Sequence, residues 1–396
     1  MIRKLEIDNF KTLNHFTMDF SPMTVIVGNN ASGKSTILQV LSLLSSCVQQ
    51  DFGTFFYQRG WNVADLRSKC KGKTEKEMRV ALEVQVTVDG RERQLRWEMQ
   101  LQYVLQKNTL LLVTERVYDL ETRQRLLEFT ESETQIVDRQ GVILSYPQLT
   151  VESSVLKVVV NENAINNKFP ELEELKRFLM GMRSYELLSP DQMRMSSRGT
   201  AKYLSISGKN LPTFLKSLPE EKKEDFLLKL KNLLGDKIEK VSTETRGKPG
   251  WVYMMVEEKY EKVKYRVSSG QLSDGLLRLL AIVGISESEQ CSLSMLDEIE
   301  NGINSSYAEA LIGIFKDMSE SGNQMVLTTH SVVFLDYVEK DGIVFLYRSE
   351  NDGSTKAMRI FDTPELEEKL AYMYPGEIIY NLGNQELVDL CMRHMG

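Results

Sequence analysis

The 396-residue sequence is poor in the residues that build covalent or metal frameworks. Its four cysteines, Cys47, Cys70, Cys291 and Cys391, lie far apart and form no C-x-x-C pair. They read as reduced thiols of a cytoplasmic protein, against a disulfide scaffold or a cysteine-based zinc site. Histidine occurs three times, at His15, His330 and His394. No run of about 18 uncharged apolar residues is present, so no membrane span is expected. The richest stretch, LLRLLAIVGI, is short and carries Arg278. The opening, MIRKLEIDNFKTL, mixes charges with apolar residues and lacks the apolar centre of a signal peptide. Low-complexity segments and internal repeats are also missing. A net charge of −7 argues against a uniformly basic nucleic-acid glove, though not against a local basic face. What the chain does have is 42% apolar residues, enough for a sizeable core.

Periodicity organises that core. Residues 2–27 predict two or three strands, the last being the buried run Thr24-Val25-Ile26-Val27. Ile37, Leu38, Leu41 and Leu44 repeat at helical spacing over 34–48. From Arg79 the period changes to two. Val80, Leu82, Val84, Val86 and Val88 alternate with polar residues, Asp89-Gly90 signals a hairpin, and Leu95, Trp97, Met99 and Leu101 alternate on the return. Further strand-like segments run to about Val160. Helices are expected over 170–182 and about 211–235, and a strand pair over 251–267. After Ser268 the order is helix, strand, helix, strand, at 275–286, 293–297, 305–321 and 324–328. That alternation predicts a parallel sheet with helices on its faces. From Thr363 onward the chain reads as helical.

Four stretches carry chemistry. GNNASGKS, Gly28 to Ser35, fits G-x-x-x-x-G-K-[ST] between a strand and a helix. Its glycines let the backbone of Asn29, Asn30, Ala31, Ser32 and Gly33 wrap a phosphate, with Thr36 following in the helix's first turn. Lys34 can reach the β- and γ-phosphates of ATP, and Ser35 can ligate Mg²⁺. In LSMLDEIE an apolar strand ends in Asp297, placed to hold Mg²⁺, and Glu298, placed to polarise an attacking water. In MVLTTHSVVFL a second strand ends in His330, suited to contact a γ-phosphate and sense its loss. In SSGQLSDGLLRLL, Ser273 or Asp274 can cap a helix whose N-terminus, with Ser273 and Gly275, is also an anion site. Two helix N-termini of one subunit are poorly placed to grip one phosphate from opposite sides. A second subunit can supply the other.

In this order the four elements resemble the ABC-type ATPase heads of the RecF and SMC-like group. GNNASGKS matches the Walker A loop. LSDG at 272–275 resembles the signature LSGGQ, with Asp274 in place of a glycine. LSMLDEIENGI resembles the Walker B strand of the RecF-like and OLD-like AAA ATPases, with Ile299 where proline is common. His330 matches the switch histidine. The opening IRKLEIDNFKTL resembles the group's first strand, and SPDQMR at 189–194 resembles its glutamine-bearing loop, which nominates Gln192 for nucleotide contact. The resemblance implies an α/β fold: a P-loop ABC-type ATPase head with a mixed or parallel core sheet, an inserted antiparallel β lobe and a helical subdomain. The head would span 1–345. Within it fall a P-loop half (1–46), the β lobe (about 78–165), a helical insert (about 205–240) and a signature, Walker B and switch half (251–345). A small helical tail (346–396) would follow. No heptad arm is present, and the tail is too short for the Toprim nuclease of OLD-type proteins.

The function implied is ATP binding and hydrolysis with Mg²⁺, with head-to-head homodimerisation in which Ser273 and Gly275 face the partner's nucleotide. This would be coupled to DNA or to an effector protein encoded nearby, in bacterial DNA maintenance or anti-phage defence. The Asp274 carboxylate is expected to weaken the grip on γ-phosphate. Two alternatives stand beside it: a nucleotide-gated scaffold in which hydrolysis is incidental, and the energising subunit of a transporter. For DNA, the basic stretches are Arg183, Arg194, Arg198, Lys202 and Lys209, and Lys69, Lys71, Lys73 and Lys76.

Overall fold

A computed structural model describes residues 1–70, 75–147, 151–159, 168–185, 189–248 and 250–394. The chain divides into two compact units, one of Met1–Arg183, Asp341–Glu368 and Leu382–Gly396, the other of Ser184–Lys340 and Lys369–Asn381.

In the first unit the alternating segments form an antiparallel sheet of eight strands. Its spatial order is Phe16–Asp19, Ile2–Asp8, Glu77–Val88, Arg91–Val104, Thr109–Asp119, Arg125–Phe129, Glu133–Val137 and Ile143–Pro147. The opening strand is therefore continuous with the β lobe, pairing Leu5 with Leu82 and Ile7 with Val80. One face buries Leu5, Leu82, Leu95, Trp97, Leu101 and Val117. Helices Phe52–Arg59 and Pro170–Met180 pack on this sheet, the latter burying Leu172, Leu175 and Leu179. Where strand was expected toward Val160, Val155–Val159 is a short helix, and Val160 lies outside the described residues. The strand Met23–Gly28 runs parallel to Ile343–Arg348, which pairs antiparallel with Thr355–Met358. The segment after Phe345 thus opens with a hairpin. It becomes helical at Pro364–Lys369 and Pro375–His394, the second kinked at Gly383.

In the second unit Ile238–Arg246, Trp251–Lys259 and Lys264–Ser268 form a three-stranded antiparallel sheet. The expected pair at 251–267 gains Ile238–Arg246, whose sequence IEKVSTETR has no apolar alternation to announce it. Helices Leu211–Ser217 and Glu220–Leu234 pack on this sheet. They are two helices because Pro219 forces the preceding Leu218 into an extended conformation, φ −60° and ψ 139°. The rest is α/β as the alternation predicts: helix Asp274–Ser286, strand Leu293–Leu296, helix Ala308–Glu320 and strand Gln324–Thr328, the two strands parallel. The fold class read from the sequence holds, with a mixed parallel sheet beside an antiparallel one.

One buried charge in the first unit tests this packing. Glu115 is fully buried, and its carboxylate accepts from Trp97 Nε1 (2.7 Å), Ser154 Oγ (2.6 Å) and the Val155 N–H (2.6 Å). It ties the chain at 154–155 to the sheet. Burial raises its pKa above the usual carboxylate value, against the pull of those donors. The native state then holds a proton that the unfolded chain has already released, so stability falls as pH rises through that window. Glu115→Ala is expected to lower unfolding free energy by about 3 kcal/mol, because three buried donors lose their acceptor. The same variant should lose this contribution to the pH dependence; urea melts at a series of pH values measure both.

Candidate functional site

In the first unit the strand Met23–Gly28 delivers the chain into the loop, and Gly33 caps helix Lys34–Cys47. Gly28 has φ 148°, and a Cβ there would lie 2.1 Å from the Leu346 carbonyl oxygen of the neighbouring strand. Only glycine allows that approach. Asn29, Asn30 and Ala31 are exposed, and Ala31 takes the left-handed φ of 62°. Ser32 and Lys34 are buried, while Ser35 and Thr36 are half-buried in the first helical turn. Lys34 Nζ donates to the carbonyls of Gly28 (2.8 Å) and Asn29 (3.0 Å). It folds over the loop it belongs to.

Residues that the motif does not contain brace this loop. Thr355 Oγ1 donates to the Ser32 carbonyl at 2.8 Å, and Thr12 Oγ1 lies 2.7 Å from Thr355 Oγ1. Arg348 Nη1 donates to the Ala31 carbonyl at 3.3 Å. Sequence reasoning passed over Thr12, Arg348 and Thr355, which come from outside the motif and carry no pattern of their own. The loop fits an anion. The helix has no acidic residue in its first turn and no side-chain cap on its free N–H groups.

In the second unit the parallel strands Leu293–Leu296 and Gln324–Thr328 bring Asp297, Glu298 and His330 to one end. Thr328 Oγ1 donates to Asp297 and accepts the Glu298 N–H at 2.9 Å. Asp297 is half-buried, and Glu298 is exposed with a left-handed φ of 49°. A non-glycine residue in that region is strained, and here the turn enforces it: the Asn301 N–H bonds the Glu298 carbonyl at 3.0 Å. Glu300, not singled out by the sequence, accepts from Thr329 Oγ1 (2.7 Å) and the His330 N–H (2.6 Å). The His330 side chain is exposed. Asp297 is an oxygen donor of the kind Mg²⁺ takes in ones and twos, with phosphate supplying others.

The signature tip belongs to the same unit. Ser273 caps helix Asp274–Ser286, its Oγ accepting the Leu276 N–H at 3.3 Å. A Cβ on Gly275 would stand 2.3 Å from the Gly302 carbonyl oxygen, so this helix start lies backbone to backbone against the turn after Glu300. Ser273 and Asp274 are exposed, and the tip lines a cleft of about 560 Å³ with Gly302 and Asn304. Asp274 forms an ion pair with Arg194, whose guanidinium also donates to the Leu272 carbonyl at 3.1 Å. The carboxylate that stands in for a glycine is thus compensated, which the sequence did not foresee. Arg278, one turn along, is half-buried. Burial lowers its pKa while the fields of Asp274, Glu298 and Glu300 oppose that.

Gln192 sits half-buried in the four-residue helix Pro190–Met193 and bonds none of the other candidates among the described residues. Arg194, two positions on, is the residue of that loop that engages the tip. Part of the first basic stretch is engaged, while Lys69, Lys76 and Lys209 are exposed. Lys202 pairs with Glu289 (3.3 Å), Arg198 lies 3.8 Å over the Trp251 ring, and Arg183 donates to the Met180 and Met182 carbonyls. Lys71 and Lys73 lie outside the described residues.

Residues 1–85 match the family model described as "AAA ATPase domain". Residues 172–336 match one described as "AAA domain, putative AbiEii toxin, Type IV TA system". A Helicobacter pylori protein named ATP/GTP phosphatase is 22% identical, over 86% of this chain and 88% of that one. The OLD nuclease of Thermus scotoductus is 30% identical over 18% of each chain. Among solved structures, an SMC head bound to the C-winged helix domain of ScpA aligns over 90% of this chain and 96% of its own, at 15% identity and a TM-score of 0.51. No described helix is long and apolar enough to cross a membrane. Two stretches of the chain are thus similar to AAA ATPase models, and its fold is that of an SMC head.

Proposed function

We propose that this protein is an ATP-hydrolysing switch. Two copies would close head to head over ATP, each lending the other its 272–275 helix tip, and an effector would read that closed state. The observation that carries the reading is the tip itself: exposed, capped by Ser273, and with Asp274 neutralised by Arg194. A bare carboxylate there would repel a triphosphate; a paired one leaves the helix N-terminus free to act. The effector is DNA or a separate protein; Lys202 pairs with an acid and Arg198 lies over an aromatic ring, while Lys69, Lys76 and Lys209 are exposed. The wording of the second family description and the likeness to an OLD nuclease are in keeping with anti-phage defence or DNA maintenance.

In this reading Lys34 leaves the Gly28 and Asn29 carbonyls for the β- and γ-phosphates, which offer it full charges. Glu298 accepts a proton from a water whose oxygen bonds the γ-phosphorus, and the β–γ bridging oxygen departs with ADP. Ser35 and Asp297 would hold Mg²⁺, whose charge offsets that of the phosphates. His330 registers the loss of the γ-phosphate.

Two experiments test the reading. Glu298→Gln should run as a monomer without ATP and as a dimer with ATP and Mg²⁺ by light scattering. Lys34→Ala should abolish both turnover and dimer, and wild-type turnover that survives Lys34→Ala would refute the assignment. Arg194→Ala exposes the Asp274 charge and is expected to weaken the ATP-dependent dimer about tenfold or more, an effect that fades as salt rises. Adding Asp274→Gly to Arg194→Ala removes that charge and should restore most of the loss. Failure of this rescue would show that Arg194 does not act by compensating Asp274.

A further inference from the structure

We propose that Glu300 is a positioning residue of the ATPase: its carboxylate seats His330 and fastens the histidine loop to the turn that backs the signature tip. The inference rests on the switch reading and assigns a part to a residue outside the four motifs' chemistry.

The geometry brackets one residue. Glu300 Oε1 takes the His330 N–H at 2.6 Å, and Oε2 takes Thr329 Oγ1 at 2.7 Å. Thr329 Oγ1 in turn accepts the Ser331 N–H at 3.0 Å. The backbone on both sides of His330 is therefore held, directly or at one remove, by a single carboxylate. Thr329 is fully buried, so its hydroxyl would pay a desolvation penalty without this acceptor. Helix capping does not explain the contacts: helix Val332–Leu335 begins after Ser331 and has no side-chain cap. A glutamate kept only for solubility would point to water, and this one is half-buried with both oxygens engaged.

The other end of Glu300 belongs to the turn. Its carbonyl accepts the Ile303 N–H at 2.9 Å, and the Ile299 N–H bonds the Thr328 carbonyl at 3.2 Å. Between them Gly302 presents its carbonyl where a Gly275 side chain would be. Displacement of His330 therefore pulls on Glu300, and the turn cannot shift without moving against the Gly275 backbone. In a head-to-head dimer, His330 and the tip of one copy face different nucleotides, so this linkage would join the two sites.

The test uses the full-length protein and steady-state ATP turnover. Glu300→Ala is expected to lower kcat about tenfold or more while KM for ATP stays within about twofold, because Lys34 and its loop are untouched. Glu300→Gln, which keeps size but turns an amide toward one donor, should lose less. Thr329→Ser should retain most of the rate and Thr329→Val should not. The deciding measurement is the pair of Glu300→Ala with His330→Ala. If Glu300 acts through His330, the double variant is no slower than His330→Ala alone. Multiplying losses, or a melting-point drop in Glu300→Gln as large as in Glu300→Ala with equal loss of rate, would make Glu300 merely structural and overturn the proposal. An inactive wild type would take the switch reading down with it; an active wild type matched by Glu300→Ala would remove this inference alone.

Discussion

Much of the second unit depends on one close approach, the Gly302 carbonyl lying against the Gly275 backbone. No side chain fits between them. The turn that follows the Asp297–Glu298 carboxylates is thereby fixed to the start of the signature helix. The same turn strains Glu298 into a left-handed conformation and leaves its carboxylate exposed, while Thr328 holds its backbone. Position and exposure of that acid are thus bought by backbone contacts made several residues away.

Polar side chains not nominated from sequence for nucleotide or metal hold the candidate residues. Thr355 and Arg348 bond loop carbonyls in the first unit, and Thr328, Glu300 and Arg194 serve the acids, the histidine and the signature in the second. Each uses hydroxyl, carboxylate or guanidinium groups on main-chain or charged partners, where geometry is well defined. Substituting a motif residue removes a contact with nucleotide in the proposed mechanism; substituting one of these removes the direction in which the motif points.

Legibility in the sequence followed physical periodicity. Val80 to Val88 and Leu95 to Leu101 announced their strands because one face is buried and one is wet. The strand before helix Lys34–Cys47 and the helix itself were readable from an apolar run and its 3.6-residue repeat. Ile238–Arg246 escaped because its burial is shallow on both faces, and a shallow strand needs no apolar alternation. The ion pair between Arg194 and Asp274 escaped for another reason: it joins positions 80 apart, and only folding sets that distance. Gln192 is the member of SPDQMR that the resemblance nominates for nucleotide, and Arg194 of the same stretch is the one that contacts the signature tip. Arginine reaches further, and its planar group serves two acceptors at once.

The brace on the Gly28–Ser35 loop has a consequence for how the protein is made. Thr355 and the Ser32 carbonyl it bonds are separated by 323 positions. A ribosome therefore completes the whole loop sequence more than 300 residues before the hydroxyl that supports it. Nascent chains carry the motif long before they carry its buttress.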